Sequence, residues 1–442
     1  MQRATDSVRV LETGSESAFG RRWLNILRPL ALLKQAAVAL GLSLVLATTG
    51  WASATSVTTS TYKELTEIQE LMSNDGMDEA FTRLKTLLTE VEEDSLDLAL
   101  TLQTIGYVEM SRENFPEAIK YLKQSLATER LPQNVVYNVG YMVAQLHAAL
   151  GQFEEALTFA EGWFKQVEEP KPSQTIFMAN IYAQVKRYAE SAPYAEQAIA
   201  ASLAAGEEPR ESWYQLLTAD YFELKRYPEA TQTLLAMVDR WPEKGSYWEQ
   251  LASVYMVQDM PPKALATLKI AFDTGVLDKE NTIRSMIQLC VLQGIPEHGG
   301  RLLQQAMEME LVPVEDIYLE MLAQSWIAAR EYDRAVQAYE ELAKRTEKGD
   351  PWMKIANIYV DATDWKPAER AAIKALDSEL EEPGKAWLIL GIARVEQGKF
   401  EEGRTALRKA RAFSKTERSA AGWLNYAEDM KRQADWLASN SG

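Results

Sequence analysis

Residues 245–273 read GSYWEQLASVYMVQDMPPKALATLKIAFD, and the spacing inside this stretch decides the fold. Trp248, Leu251, Ala252 and Tyr255 recur three or four residues apart, so they share one face of a helix. Ala264, Leu268 and Ala271 do the same on a second helix. The segment Asp259-Met260-Pro261 between them is a turn. A small residue at the point where two helices cross lets their backbones approach, while Trp, Leu and Tyr fill the layers on either side. The stretch is therefore a helix-turn-helix unit closed around Ala252 and Ala264.

The same offsets return elsewhere. One copy carries Trp352, Ile355, Ala356, Tyr359, Ala368, Ala372 and Ala375, and another Trp387, Leu390, Gly391, Gly403, Leu407 and Ala410. The turns also rhyme, as in Asn114-Phe115-Pro116-Glu117-Ala118, Gly151-Gln152-Phe153-Glu154-Glu155-Ala156, Arg226-Tyr227-Pro228-Glu229-Ala230, Glu331-Tyr332-Asp333-Arg334-Ala335 and Gly398-Lys399-Phe400-Glu401-Glu402-Gly403. Aligning the small residue of the second helix gives Ala80, Ala118, Ala156, Ala192, Ala230, Ala264, Gly299, Ala335, Ala368 and Gly403, in steps of 33 to 38 residues. No alternating strand pattern interrupts them.

A period near 34 built from helix, turn and helix resembles the tetratricopeptide repeat. The resemblance covers nearly all of residues 62–415. It implies an all-α, right-handed α-solenoid of about ten repeats, followed by a capping helix over 417–437 that carries Trp423, Tyr426, Met430 and Trp436. Tyr62 to Met72 supplies the first helix of an atypical opening copy. The copy around Ile283, Met286, Ile287, Cys290 and Gly299 lacks the large aromatics, and the one around Ile176 and Ala192 also departs from the pattern. Both are expected to bend the array or to pack loosely.

The bulk numbers fit such an array. At 442 residues a single core would be oversized, but a repeat buries its surface only against its neighbours. A formal net charge of −17 repels phosphate backbones and argues against nucleic acid as a partner. The basic run Lys399, Arg404, Arg408, Lys409, Arg411, Lys415 and Arg418 reads as the solvated side of a late helix.

The amino terminus has the marks of a secretory leader over residues 1–54. Arg21, Arg22, Arg28 and Lys34 precede the uncharged stretch Ala36 to Ala54, whose apolar core ends at Ala52-Ser53-Ala54. Cleavage after Ala54 would leave residues 55–442 as a periplasmic solenoid without a membrane span. An uncleaved inner-membrane anchor over residues 36–54 is the rival reading, although a core of about a dozen strongly apolar residues is short against the ~20 of a spanning helix.

Little in the chain suggests chemistry. Cys290, the single cysteine, and His147 fall where other copies place Tyr255 or Tyr359, inside the helix pair, so both read as buried structural residues. His298 sits in the turn Gly294-Ile295-Pro296-Glu297-His298-Gly299-Gly300 and reads as a surface histidine. No phosphate-binding loop, dinucleotide fingerprint, nucleophile elbow or His-Glu-x-x-His run is present. The expectation is a protein that is not an enzyme and carries no cofactor or metal.

In tetratricopeptide arrays the first helices line a concave groove that takes extended peptides. By resemblance the groove positions here are Gln103, Tyr107, Tyr141, Gln145, Gln174, Phe177, Gln215, Phe222, Asn281, Arg284, Gln288, Gln324 and Asn357. Amides could bond a peptide backbone through their paired donors and acceptors, and Tyr and Phe could anchor apolar side chains. They could equally be ordinary exposed polar residues. The chain lacks the Lys and Arg cluster with which chaperone-binding members grip a carboxy-terminal carboxylate.

The start Tyr62-Lys63-Glu64-Leu65-Thr66-Glu67-Ile68-Gln69-Glu70-Leu71, with Asp78-Glu79-Ala80 and the closing Gly422-Trp423-Leu424-Asn425-Tyr426, resembles exported tetratricopeptide proteins that accompany TonB-type systems. That resemblance implies an accessory to a TonB–ExbB–ExbD assembly. A scaffold for envelope assembly and a non-catalytic subunit of a membrane-anchored enzyme complex are the alternatives.

Overall fold

The computed structural model describes residues 57–74 and 76–440. The leader, its apolar core and Ala52-Ser53-Ala54 lie outside the described residues. Regular structure among the described residues consists of 21 α-helices, with one isolated backbone bridge between Lys348 and Glu379. The chain divides into two compact units, the first ending at Arg240 and the second beginning at Trp241. Pro242 lies just past the last helix of the first unit, where it cannot continue that helix.

The first unit holds α1 (Thr59–Ser73), α2 (Met77–Glu90), α3 (Leu96–Ser111), α4 (Phe115–Ala127), α5 (Gln133–Ala149), α6 (Phe153–Phe164), α7 (Pro172–Gln184), α8 (Tyr188–Ala204), α9 (Glu211–Glu223) and α10 (Tyr227–Arg240). The second holds α11 (Gly245–Val257), α12 (Pro261–Asp273), α13 (Glu280–Leu292), α14 (Pro296–Glu308), α15 (Asp316–Ala328), α16 (Tyr332–Thr346), α17 (Asp350–Asp361), α18 (Trp365–Leu376), α19 (Pro383–Glu396), α20 (Phe400–Arg411) and α21 (Glu417–Asn440). Odd-numbered helices from α1 to α19 are the first arms of hairpins, and even-numbered ones the second arms.

One turn geometry sets the period. From α3 onward every hairpin turn has a residue in the left-handed region two positions before its second helix: Glu113, Gly151, Lys186, Lys225, Asp259, Gly294, Arg330, Thr363 and Gly398, all with φ between 56° and 76°. The next N–H then donates to the carbonyl five residues back, as from Arg187 to Tyr182 at 2.8 Å and from Lys399 to Arg394 at 2.9 Å. This is the Schellman closure, and it satisfies a carbonyl that the helix end would otherwise leave open. Only three of these nine positions are glycine.

The aligned small residues sit where the sequence puts them. Ala80, Ala118, Ala156, Ala192, Ala230, Ala264, Ala335 and Ala368 are fully buried, and Gly299 and Gly403 are buried too. The crossings leave no room for more. A Cβ on Gly106 would lie 2.6 Å from Leu122 Cγ, and one on Gly403 would lie 3.0 Å from the carbonyl oxygen of Gly391.

In the first unit, Ile68, Leu84, Ile105, Leu122 and Leu146 are fully buried in one continuous core, with Met178 and Ile181 in an adjoining cluster. In the second unit Phe272, Tyr318, Trp326 and Tyr339 form the largest buried side chains. Burying each such side chain contributes roughly 1.5–3 kcal/mol.

The copy around Cys290 is not loose. Ile283, Met286, Ile287 and Cys290 are all fully buried, and a Cβ on Gly299 would stand 3.1 Å from Cys290 Cβ. The missing aromatics are compensated by a smaller residue on the opposing helix. In the other divergent copy, α8 carries Pro193, which has no N–H to give to the preceding turn. The last helix, α21, buries Ala420 and Ala427 and rests Trp423 and Leu424 on Val395 and Leu407.

Candidate functional site

Helices α5 to α8 of the first unit gather an aromatic cluster. Tyr141 on α5 stacks on Trp163 of α6, with ring centroids 4.3 Å apart and planes 20° apart, and Phe177 of α7 meets Tyr141 edge-on at 5.2 Å. Phe164 continues the contacts to Tyr194, which stacks on Tyr182 at 5.5 Å. Tyr141 and Phe177 are half-buried, so each ring keeps part of its surface toward solvent. Burial pushes the Tyr141 hydroxyl up to about 12, although a hydrogen bond from Gln145 works against it. Phe222, also half-buried, meets Tyr227 edge-on at 6.1 Å. Tyr107 does not present its ring: it lies in the core of the first unit at 5% exposure, because α3 is buried on several sides there.

The amides expected to form a free ladder are mostly engaged within the chain. Gln103 donates to the Tyr107 hydroxyl at 2.7 Å, and Gln145 serves Tyr141 in the same way. Gln174 accepts from the Lys171 N–H at 2.9 Å and so caps the start of α7. Gln215 contacts Glu211 at 3.5 Å.

In the second unit Arg284 donates to Asn281 at 3.1 Å and Gln324 to Glu320 at 2.8 Å. Gln288 and Asn357 are exposed. Most of these pairs lie three or four residues apart on one helix, where side chains meet on the same face. The half-buried rings of the first unit therefore offer more to a partner than the amides do.

A repeated polar module flanks this cluster, and sequence reading missed it. Tyr182 donates to Glu161 at 2.8 Å while the Arg187 guanidinium lies 4.8 Å over its ring. One repeat on, Tyr221 donates to Glu196 and Arg226 lies 4.9 Å over its ring. The turn arginine also pairs with the glutamate three residues on, Glu190 or Glu229. The recurrence of Tyr, Arg and Glu at matching offsets was the available signal.

The residues with chemical potential are structural. Cys290 is fully buried, and burial pushes its thiol up to about 11, which keeps the nucleophilic thiolate scarce. His147 is 6% exposed, stacks on Phe159 at 5.5 Å and shares a 2.7 Å hydrogen bond with Gln152 through Nδ1. His298 is half-buried in a surface hollow of about 590 Å³ lined by Gly294, Ile295, Pro296, Glu297, Ala328 and Ala329. Among the described residues no three His, Cys, Asp or Glu side chains come together as a metal site. No helix among them is long and apolar enough to cross a membrane.

The family model described as tetratricopeptide repeat matches residues 353–417, which run from α17 to the start of α21. Among solved structures, the chain is similar to a tetratricopeptide repeat protein from Parabacteroides merdae, with 14% identity, 61% of this chain and 99% of that chain covered, and a TM-score of 0.35. It is similar to YrrB, described as a TPR protein with an unusual peptide-binding site, at 13% identity over 46% of this chain and 96% of that one, with a TM-score of 0.36. It is also similar to MamA from Desulfovibrio magneticus at 20% identity, over 40% and 93% of the two chains, with a TM-score of 0.32. No curated protein matches. Residues 353–417 thus match the tetratricopeptide repeat, and the hairpins of each unit, built on the same crossing and turn, have the all-α arrangement of tetratricopeptide solenoids.

Proposed function

We propose that this protein is an exported interaction scaffold that holds partner proteins or extended peptides along the first-arm helices of its first unit. The observation that carries the reading is the half-buried pair Tyr141 and Phe177, rings from successive first arms in edge-to-face contact at 5.2 Å. Such rings gain by losing their remaining water-exposed surface to a partner, and they lose little conformational entropy because packing already fixes them. The tetratricopeptide fold supports the same reading, since it generally serves as a non-catalytic interaction scaffold.

Export rests on the charged flank, apolar core and Ala52-Ser53-Ala54, and places the scaffold in the periplasm. The partner proposed from the resemblance of Tyr62 to Leu71 and Gly422 to Tyr426 is the TonB–ExbB–ExbD assembly. Co-purification from envelope fractions with antibodies to each of the three components tests it. Enrichment of ExbB, ExbD or TonB over a control column is the expected outcome. Capture of other envelope proteins without any of the three would end the TonB assignment while keeping the scaffold. An intact mass that retains residues 36–54 would end cleavage.

A further inference from the structure

Asp220 is 1% exposed on α9, and the register shows how unusual that is. It stands two residues past the small position of its first arm, where other copies bury Val108, Leu146, Ile181, Val254, Leu289 and Ile358. From α3 onward only Ser325 is also polar there, and its hydroxyl is satisfied by the carbonyl of Met321 within its own helix at 2.8 Å. Asp220 instead reaches to α8. Its Oδ2 lies 2.5 Å from the hydroxyl of Ser191, a residue that replaces the glutamate found at the same place in Glu117, Glu155 and Glu229.

The Ser191 hydroxyl has a second neighbour, the carbonyl oxygen of Ala179 on α7, at 2.9 Å. A hydroxyl carries one hydrogen, so it cannot donate to both oxygens. The carbonyl has no proton to give. Both contacts are hydrogen bonds at once only if the carboxyl donates to Ser191 and Ser191 donates to Ala179. The other carboxyl oxygen, Oδ1, is buried without any hydrogen-bond partner, a position a neutral acid tolerates far better than a carboxylate.

We propose that Asp220 is held as a neutral carboxylic acid that locks α9 to α8 and α7 through the chain Asp220 to Ser191 to Ala179, and that loss of its proton opens this joint.

Beyond the Ser191 hydroxyl, the surroundings offer the anion no compensation. Glu223 on its own helix acts against the charge, and the neighbouring titratable group on α8 is Tyr188, itself raised first by burial and then by Glu223 and Asp220. The other acids of α8 are taken up, Glu190 by Arg187 and Glu196 by Tyr221. On α10 Glu229 is held by Arg226 and Arg240 lies over Tyr214 at 5.2 Å, while α7 carries no charged side chain. Burial pushes the Asp220 carboxyl up to about 7, against the bond from Ser191 that pulls it down. Folding therefore takes up a proton between the ordinary aspartate range and about 7. The stability the lock contributes is whole below that window, falls as pH rises through it, and is gone above it.

The test uses the full chain and its Asp220→Asn variant, with aspartate carboxyls isotopically labelled for infrared spectroscopy and backbone amides followed by hydrogen exchange. At pH 5 the wild type should show a protonated-carboxyl band that the variant lacks, bleaching near pH 7. Protection factors in α8 and α9 should fall by roughly tenfold from pH 5 to pH 6 and level off above 7. The variant, whose amide keeps the donor to Ser191, should show no such fall, and the α17–α18 hairpin should be unaffected in both. No band at pH 5 would overturn the assignment of the proton. A band without the loss of protection would overturn the opening of the joint. Should Asp220→Asn fail to fold, Ser191→Ala serves instead, and it must lower the midpoint of stability at pH 5 more than at pH 8.

Discussion

The backbone N–H of Asp364 donates to the carbonyl of Tyr359 at 2.8 Å, and the residue between the helices that makes this possible is Thr363, held at φ 56°. A β-branched side chain is poorly suited to that region, where an L-residue pays roughly 1–2 kcal/mol. Thr363→Gly should raise stability by about 0.5–1 kcal/mol, the relief of strain less the extra freedom glycine gives the unfolded chain. At Gly398, φ 76°, an added Cβ meets nothing within 4 Å, so Gly398→Ala isolates the backbone cost and should lower stability by about 1 kcal/mol. Denaturant midpoints of the two variants should move in opposite directions. Movement in the same direction would contradict the turn's role.

Ala264 tests the crossing itself. It is fully buried at the contact of α11 and α12, whereas Lys269 on the same helix pairs with Asp273 at 2.5 Å on the surface. Ala264→Arg forces a long cation into a closed crossing and should cost at least ~3 kcal/mol. Lys269→Ala removes an exposed ion pair and should change stability by less than ~0.5 kcal/mol. Equal losses in thermal melts would mean that the register is misplaced.

These two positions also mark what the sequence could and could not reveal. The small-residue ladder from Ala80 to Gly403 was legible because packing admits few residue types where backbones touch. The left-handed turns at Lys186, Lys225 and Arg330 were not, since those side chains carry no preference for that conformation and the tertiary contacts impose it. The amide positions form a free face only when their helical neighbours are ignored, and the bonds of Gln103 to Tyr107 and Gln324 to Glu320 depend on those neighbours. Asp220 reads as an ordinary helical surface residue until the register places it level with Val254 and Leu146.

Glu369 gives the second unit an acid-sensitive contact. Its carboxylate is only 12% exposed and binds Arg394 at 2.8 Å, Lys399 at 2.7 Å and Gln397 at 2.9 Å, tying α18 to α19 and the turn after it. Burial pushes its carboxyl up, but the three donors outweigh it and hold it down at about 2 against an ordinary 4.5. Between those values the unfolded chain binds a proton that the folded chain refuses. The contribution is therefore whole above about pH 4.5 and lost as pH falls toward about 2. Glu369→Gln should cost ~1–2 kcal/mol at neutral pH, after allowance for the exposure of Lys399, and should flatten the acid limb of stability against pH. An acid limb of unchanged slope would remove Glu369 from this role.

The binding face can be separated from the fold through Phe177 and Phe222. Both rings are half-buried, and each meets another ring edge-on, Phe177 with Tyr141 and Phe222 with Tyr227. Changing both to Ser would remove those contacts as well as any surface offered to a partner, so some stability is lost, about 1 kcal/mol for each aromatic pair. Changing both to Leu keeps apolar bulk against Tyr141 and Tyr227 and should preserve helix content and melting nearly unchanged. If the rings anchor a partner, the Leu variant should still bind more weakly than wild type, and the Ser variant should lose ~2 kcal/mol or more of binding, in the range of interface hot spots. Capture of the co-purified partner by each variant, with circular dichroism of the same samples, supplies both readings. Undiminished capture by the Ser variant while it remains folded would overturn the role of these two rings and move the contact surface away from Phe177 and Phe222.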